Sequence, residues 1–188
     1  MNKGLKRCSW ANNEPLLTYH DEEWGVPQHN DVILFEFLIL EGAQAGLSWE
    51  IVLKRRSSYR RLFSNFNPRK VAKFTSRDVS KLMKDPSIIR NRLKIKSAIA
   101  NAQAFLKIQK EFGSFDKYLW EFVAGKPQQN SGRSRTVRSI TSDALSKDLK
   151  KRGFSFVGTT ITYAFMQAVG MINDHNHDCY RKKKLTAT

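Results

Sequence analysis

Asn30-Asp31-Val32-Ile33-Leu34-Phe35-Glu36-Phe37-Leu38-Ile39-Leu40-Glu41 carries eight apolar side chains with hardly a polar break. A helix of this composition is apolar all round rather than striped, and such a helix belongs in the middle of a protein. Gly42 and Gly46 interrupt it. Outward from this centre the signals are again helical. Ser48 is placed to cap a helix from Trp49 toward Phe63, whose Lys54, Arg55, Arg56, Arg60 and Arg61 mark a solvated face. Asn67-Pro68 reads as N-cap and first helical residue. Thr75 with Asp78 resembles a capping box for a helix to about Lys84. Ile95, Ala98, Ile99, Ala102, Phe105 and Leu106 repeat at helical spacing within 91–111, and Gly113 stops them. Ser114 caps a short helix bearing Phe115, Leu119, Trp120 and Phe122. The polar, basic stretch Gln128 to Ser139 reads as an exposed loop. Ser142 is expected to open a helix to Arg152, and Gly158 to Ala168 forms the last. No alternating strand pattern occurs, so the spacing predicts an all-α protein of about eight helices, folding as a single domain over residues 1–188.

Lys and Arg number 33 against 17 Asp and Glu, a net charge of +16 in 188 residues, and nucleic acid is the simplest partner for that excess. No apolar run approaches the roughly 18 residues of a membrane span, and Met1 to Trp10 has no signal-peptide core, so a soluble cytoplasmic protein with no membrane association is expected. Two cysteines at opposite ends of the chain are too few for a disulfide scaffold.

Three constellations could carry chemistry. Cys8 and His20 near one end, with His175 and Cys179 near the other, make two thiolates and two imidazoles, a set suited to tetrahedral zinc. Two buried thiols beside ordinary histidines are the plainer alternative; His177 competes as a ligand, and a Cys8–Cys179 disulfide is a third possibility. Next, Lys84 to Arg92, with Lys94 and Lys96 beyond, is a basic turn entering a helix, where backbone N–H groups and positive charge suit phosphate; a solvated hairpin face is the alternative. Last, Trp10, Tyr19, Trp24 and Trp49 accompany Glu41, an acid at the end of an apolar run. Aromatics around a buried carboxylate suit a flat heterocycle, although an aromatic core with a structural acid would look the same.

Tyr19-His20-Asp21-Glu22-Glu23-Trp24-Gly25-Val26-Pro27, Leu40-Glu41-Gly42-Ala43-Gln44-Ala45-Gly46-Leu47-Ser48-Trp49, Lys151-Arg152-Gly153-Phe154 and Phe156-Val157-Gly158-Thr159-Thr160 resemble the motifs of the DNA-3-methyladenine glycosylase I family, over about residues 5 to 180. The resemblance implies a two-lobed helix-hairpin-helix glycosylase fold. The helix-hairpin-helix would lie at about 76–111, and terminal segments at about 5–25 and 171–180 would be joined by a structural zinc on Cys8, His20, His175 and Cys179. It implies that Glu41 is the catalytic, base-recognising acid, that Tyr19, Trp24 and Trp49 form the base pocket, and that Leu47 fills the gap left in the duplex. Ser87, Arg90, Arg92 and Lys94 would contact DNA. The stretch between Pro15 and Tyr19 is one residue shorter than the family pattern, and Ser87 stands where a hairpin glycine is expected.

The activity so implied is excision of 3-methyladenine from double-stranded alkylated DNA. The enzyme would act as a monomer, leave an abasic site and bind free 3-methyladenine as product. An N3-methylated adenine is cationic and departs neutral, so selection, unstacking and electrostatic stabilisation carry the reaction, without a lysine nucleophile or an assigned general base. A non-catalytic DNA-binding protein that lost its pocket is the rival from another class, and Tyr19, Glu41 and Trp49 together argue against it. A metal nuclease would need acids around an open metal position, and the ligand cluster here is closed.

Overall fold

The computed structural model describes residues 4–130 and 136–186; positions 131–135 of the expected polar loop lie outside them. The helices are α1 (Leu16–Glu22), α2 (Asp31–Gln44), α3 (Trp49–Leu53), α4 (Arg56–Leu62), α5 (Pro68–Val71), α6 (Ser76–Lys84), α7 (Arg92–Phe112), α8 (Phe115–Glu121), α9 (Ile140–Lys151), α10 (Thr159–Ala168) and α11 (Tyr180–Thr186). A 3-10 turn at Ser64–Phe66 lies between α4 and α5. The central apolar helix is α2, begun by the Asn30 side chain accepting from the Val32 and Ile33 N–H groups. Leu34, Phe35 and Leu40 on it are wholly buried. It packs on α3, α7, α8 and α10, so it touches both groupings of helices: α5 and α6 against α7, and α9 against α10.

The fold departs from the expected one in four places. It is mostly helical rather than all-α, because β1 (Gln128–Gln129) pairs in parallel with β2 (Ile172–Asn173). Two-residue strands have no alternation to read, and their pairing partner lies far off in sequence. The helix expected over 49–63 breaks into α3 and α4, and α4 opens at Arg56, whose guanidinium binds Glu36 of α2 (2.5 Å) and Glu23 (2.7 Å). Ser139, not Ser142, caps α9: the two serines form a reciprocal box in which each side chain accepts from the other's N–H, satisfying two helix-end donors at once. The short helices α1 and α11 carry too few turns for a periodic signal. Elsewhere the caps stand where the residue types place them: Ser48, Asn67, Thr75 with Asp78, and Ser114 all accept from N–H groups of the first turn.

The end of α10 grips the amino-terminal segment. The Gly25 and Gln28 N–H groups donate to the Gln167 and Val169 carbonyls, each at 3.0 Å. Gly170 makes this approach possible. Its φ is +74°, and a Cβ there would sit 2.3 Å from the Val26 carbonyl carbon. Among the described residues no helix is long and apolar enough to cross a membrane.

Candidate active site

Glu41 and Glu36 lie on the same helix, both buried, and their surroundings are opposite. Glu36, 5% exposed, accepts from Arg56 and Arg60, and the Arg56 guanidinium also lies 5.0 Å over the Phe37 ring. Glu41, 4% exposed, has no such partner: its Oε2 is buried and makes no hydrogen bond among the described residues. Burial pushes its pKa up to about 8. The Trp49 Nε1 donor is buried too, beside the Tyr19 hydroxyl, and makes no hydrogen bond of good geometry among the described residues. Both face a cavity of about 840 Å3 whose walls include Trp10, Leu16, Tyr19, Trp24 and Gln44. The Tyr19 and Trp49 rings stand 5.4 Å apart at 55°. Burial first, and the nearby Glu41 second, hold the Tyr19 hydroxyl well above its ordinary pKa, so it stays protonated. A carboxyl oxygen, an indole N–H and a neutral phenol thus surround an aromatic-walled space.

The reason these groups meet is local. Glu41 ends the apolar face of α2; Ser48 caps α3 and so fixes Trp49 at its first position; Tyr19 comes from α1. Gln44, one turn beyond Glu41, lines the same cavity, and the three-residue helical spacing from Glu41 is the signal that marks it. Leu16, from the shortened Pro15–Tyr19 stretch, supplies an aliphatic part of the wall.

Next along α1, His20 points away from the cavity into a second buried cluster. Its ring nitrogen, that of His175 and the sulfurs of Cys8 and Cys179 all lie within 4.8 Å of one another. Sulfur to nitrogen distances are 3.6 Å for Cys8–His175, 3.3 Å for Cys179–His20 and 3.5 Å for Cys179–His175. A tetrahedral zinc with bonds of about 2.3 Å to sulfur and about 2.0 Å to nitrogen has S–N edges of about 3.5 Å, so the donors fit that ion. The outward nitrogens are engaged as well: His20 Nδ1 faces Asp21 at 2.8 Å and His175 Nε2 faces the Trp24 carbonyl at 3.1 Å. These contacts fix the tautomers that leave a lone pair aimed inward. Burial works against the Asp21 carboxylate, but hydrogen bonds from Arg7, His20 and Tyr180 outweigh it and hold its pKa at about 2. The Cys179 sulfur is held far below the thiol range, first by the Cys8 hydrogen bond. His177 is exposed and outside the cluster, so it does not compete as a ligand; neither cysteine is in a disulfide. Trp24 stands edge-on to Trp10 at 4.9 Å and to His175 at 4.5 Å, and forms the partition between the two sites.

Residues 10–182 match the methyladenine glycosylase family model. The chain belongs to the methyladenine glycosylase family. Among its relatives, DNA-3-methyladenine glycosylase 1 of Escherichia coli strain K12 is 48% identical, the match covering 93% of this chain and 96% of the relative. The DNA-3-methyladenine glycosylase of Haemophilus influenzae is 45% identical, with 92% and 96% covered. The crystal structure of a 3-methyladenine DNA glycosylase I superposes with a TM-score of 0.90 at 47% identity, covering 93% of this chain and 98% of that one. The Staphylococcus aureus enzyme, solved to explain its 3-methyladenine recognition, gives 0.90 at 38% identity, covering 95% and 97%.

In this glycosylase the residues expected at DNA lie on two neighbouring features. Leu47, 39% exposed, tips the turn between α2 and α3. The connection from α6 to α7 carries Ser87 and Arg90, and Arg92 opens α7; the two arginines are exposed and, among the described residues, without an ion pair. Ser87 is not among the left-handed residues, so its backbone does not need glycine; its N–H and hydroxyl both donate to Asp85, which closes the turn. The Ile89 N–H donates to the Tyr59 hydroxyl and so is taken. Lys94 behaves differently from its arginine neighbours: its ammonium donates to the carbonyls of Ala43 (2.8 Å) and Ala45 (2.7 Å).

Proposed function

We propose that this methyladenine glycosylase family member hydrolyses the N-glycosidic bond of 3-methyladenine in alkylated duplex DNA, taking the nucleotide out of the stack and leaving an abasic site. The observation that carries the reading is Glu41 Oε2 beside Trp49 Nε1 in an aromatic cavity, neither with a hydrogen-bond partner among the described residues. Two orphaned buried polar atoms facing one space are costly in the free protein and are satisfied by a ligand that presents complementary edges. Glu41 is the catalytic group: ionised, it accepts from the adenine edge and stabilises the cationic base as the sugar carbon develops positive charge and water attacks. Tyr19 and Trp49 hold the ring, and Trp24 backs the wall.

Leu47 fills the space the base vacates, while Arg90, Arg92 and the surrounding excess of positive charge hold phosphates on the turn that Ser87 closes. Among the described residues that line the cavity none is a lysine, and a monofunctional enzyme that leaves the strand unbroken is the reading adopted. Zinc held by Cys8, His20, His175 and Cys179 would crosslink the chain ends and supply no chemistry, since four protein ligands leave no open position. The pocket is complete within one chain, which supports action as a monomer, and two free buried thiols suit the reducing cytoplasm.

The test is incubation with methylated duplex DNA, with the released bases identified and the strand examined for abasic sites and breaks. Free 3-methyladenine with an unbroken abasic strand is the expected result. Tight DNA binding with no released base would overturn the enzymatic reading.

A further inference from the structure

The Leu47 turn is tied to the hairpin by one side chain. Ala45 has φ −41° and ψ 114°, Gly46 has φ +78°, and the Leu47 N–H donates to the Gln44 carbonyl at 2.6 Å. These angles define a type II turn with glycine at its left-handed position. It begins where α2 ends, so the last helix carbonyls find no partner within the helix. Lys94 supplies one: its Nζ donates to Ala43, in the last turn of α2, and to Ala45, inside the type II turn. Among the described residues no other side chain hydrogen-bonds the carbonyls of 43–47. Lys94 itself sits in the first turn of α7, two residues beyond Arg92.

We infer that Lys94 is a positioning residue, which fixes the reach of Leu47 relative to the phosphate-gripping hairpin rather than gripping phosphate itself. Two of its three ammonium protons are spent on carbonyls, and its stem is half-buried. A cation at a helix C-terminus is favoured there by the helix dipole. Desolvation lowers the Lys94 pKa, consistent with an ammonium turned inward. Arg90 and Arg92, exposed and without an ion pair among the described residues, are left as the hairpin's phosphate ligands. The geometry therefore links the two things a duplex-acting glycosylase must do together: hold the backbone and insert the wedge. Without the strap, the Gly46 turn can pivot while the hairpin stays bound.

The inference rests on the reading of Leu47 as the wedge, and a double-mutant cycle separates the two. Leu47→Ala, Lys94→Met and the double variant are assayed for excision from duplex DNA, with intact pockets counted by titration with free 3-methyladenine. Each single change is expected to lower kcat/KM about tenfold, and the double to fall no more than about twofold below Leu47→Ala, because the strap acts through the wedge. Lys94→Met should leave 3-methyladenine binding and the salt dependence of DNA binding as they were. An additive, roughly hundredfold loss in the double overturns the inference. So does a fall of about 0.9 in the salt slope, the signature of one lost phosphate contact. Full activity in Leu47→Ala overturns the wedge reading and the strap with it. If Lys94→Met does not fold, Lys94→Gln, which keeps donors on a shorter stem, takes its place in the cycle, where non-additivity supports the strap and additivity overturns it.

Discussion

Two buried polar clusters share α1 and a tryptophan partition, and they are built on opposite terms. Around Cys8, His20, His175 and Cys179 every ring nitrogen has a partner, down to Asp21 behind His20 and the Trp24 carbonyl behind His175. Around Glu41, Oε2 and Trp49 Nε1 are left with none among the described residues. The first arrangement is closed and self-consistent, as a structural site must be. The second is incomplete until something enters it. Adjacent residues of one helix, Tyr19 and His20, thus serve an open site and a closed one. Substitutions should divide accordingly, those in the pocket changing activity without loss of stability and those in the cluster lowering stability first.

Glu41→Gln gives the largest effect. Its near-isosteric amide keeps the packing but loses the charge, so excision should fall by about 10²- to 10³-fold, on the scale of losing one preorganised electrostatic contact, with folding intact. Glu36→Gln on the same helix is the control. It leaves the Arg56 and Arg60 guanidinium groups facing a neutral amide and should lower unfolding free energy by about 3 kcal/mol. Activity per folded molecule would change little. If both variants lose stability alike, Glu41 is a structural acid and the contrast collapses.

Cys179→Ser attacks the closed cluster. Metal content and melting temperature should drop together, the latter by about 6 to 12 °C if about 3 kcal/mol is lost. Excision per intact pocket should stay near its original value. A chelator applied to the unmutated protein should reproduce the loss. Full zinc and unchanged melting alongside lost activity would place the cluster in the chemistry instead.

The parts of this architecture legible in the sequence were those with local causes. The all-round apolar α2, the caps at Ser48, Asn67, Thr75 and Ser114, and the Gly113 stop each follow from a few neighbouring residues. Cys8, His20, His175 and Cys179 were nameable by ligand type, and Glu41 by its odd place after an apolar run. What escaped depends on contacts distant in sequence. The split between α3 and α4 depends on Arg56 reaching α2 and Glu23, and β1–β2 pairing joins residues far apart. Lys94 reads as one more surface cation until Ala43 and Ala45 are seen across from it. No spacing rule distinguishes Glu36 from Glu41; only the presence or absence of a guanidinium does.

The pH dependence of folding tests the pocket without reference to catalysis. Glu41 titrates at about 8 when folded against an ordinary 4.5, so between those values the folded state retains a proton the unfolded chain has lost. The stability this group contributes is full below pH 4.5 and is lost as pH rises through 8. Glu41→Gln cannot titrate. Its unfolding free energy should overtake that of the unmutated protein across this window, by on the order of 2 kcal/mol at the top, less than the full shift implies because water reaches an open pocket. Excision by the unmutated protein should rise over the same range as Glu41 ionises. Parallel stability curves for the two proteins would mean that Glu41 finds a partner when folded.

Trp49→Phe is the smallest change and the finest test. It deletes the indole N–H and part of the ring while leaving an aromatic face toward Tyr19. Were Nε1 hydrogen-bonded in the free protein, removing it would cost about 1 kcal/mol of stability. Since it has no partner among the described residues, that cost should be absent and melting should hold steady. Binding of free 3-methyladenine should nevertheless weaken by about 1 kcal/mol, close to tenfold, because the ligand loses both a donor and stacking area. The two measurements are made on one protein, so a general loosening of the fold cannot imitate the pattern. Stability falling in step with binding would show that Nε1 was already satisfied before any ligand arrived, and the open half of the comparison would then rest on Glu41 alone.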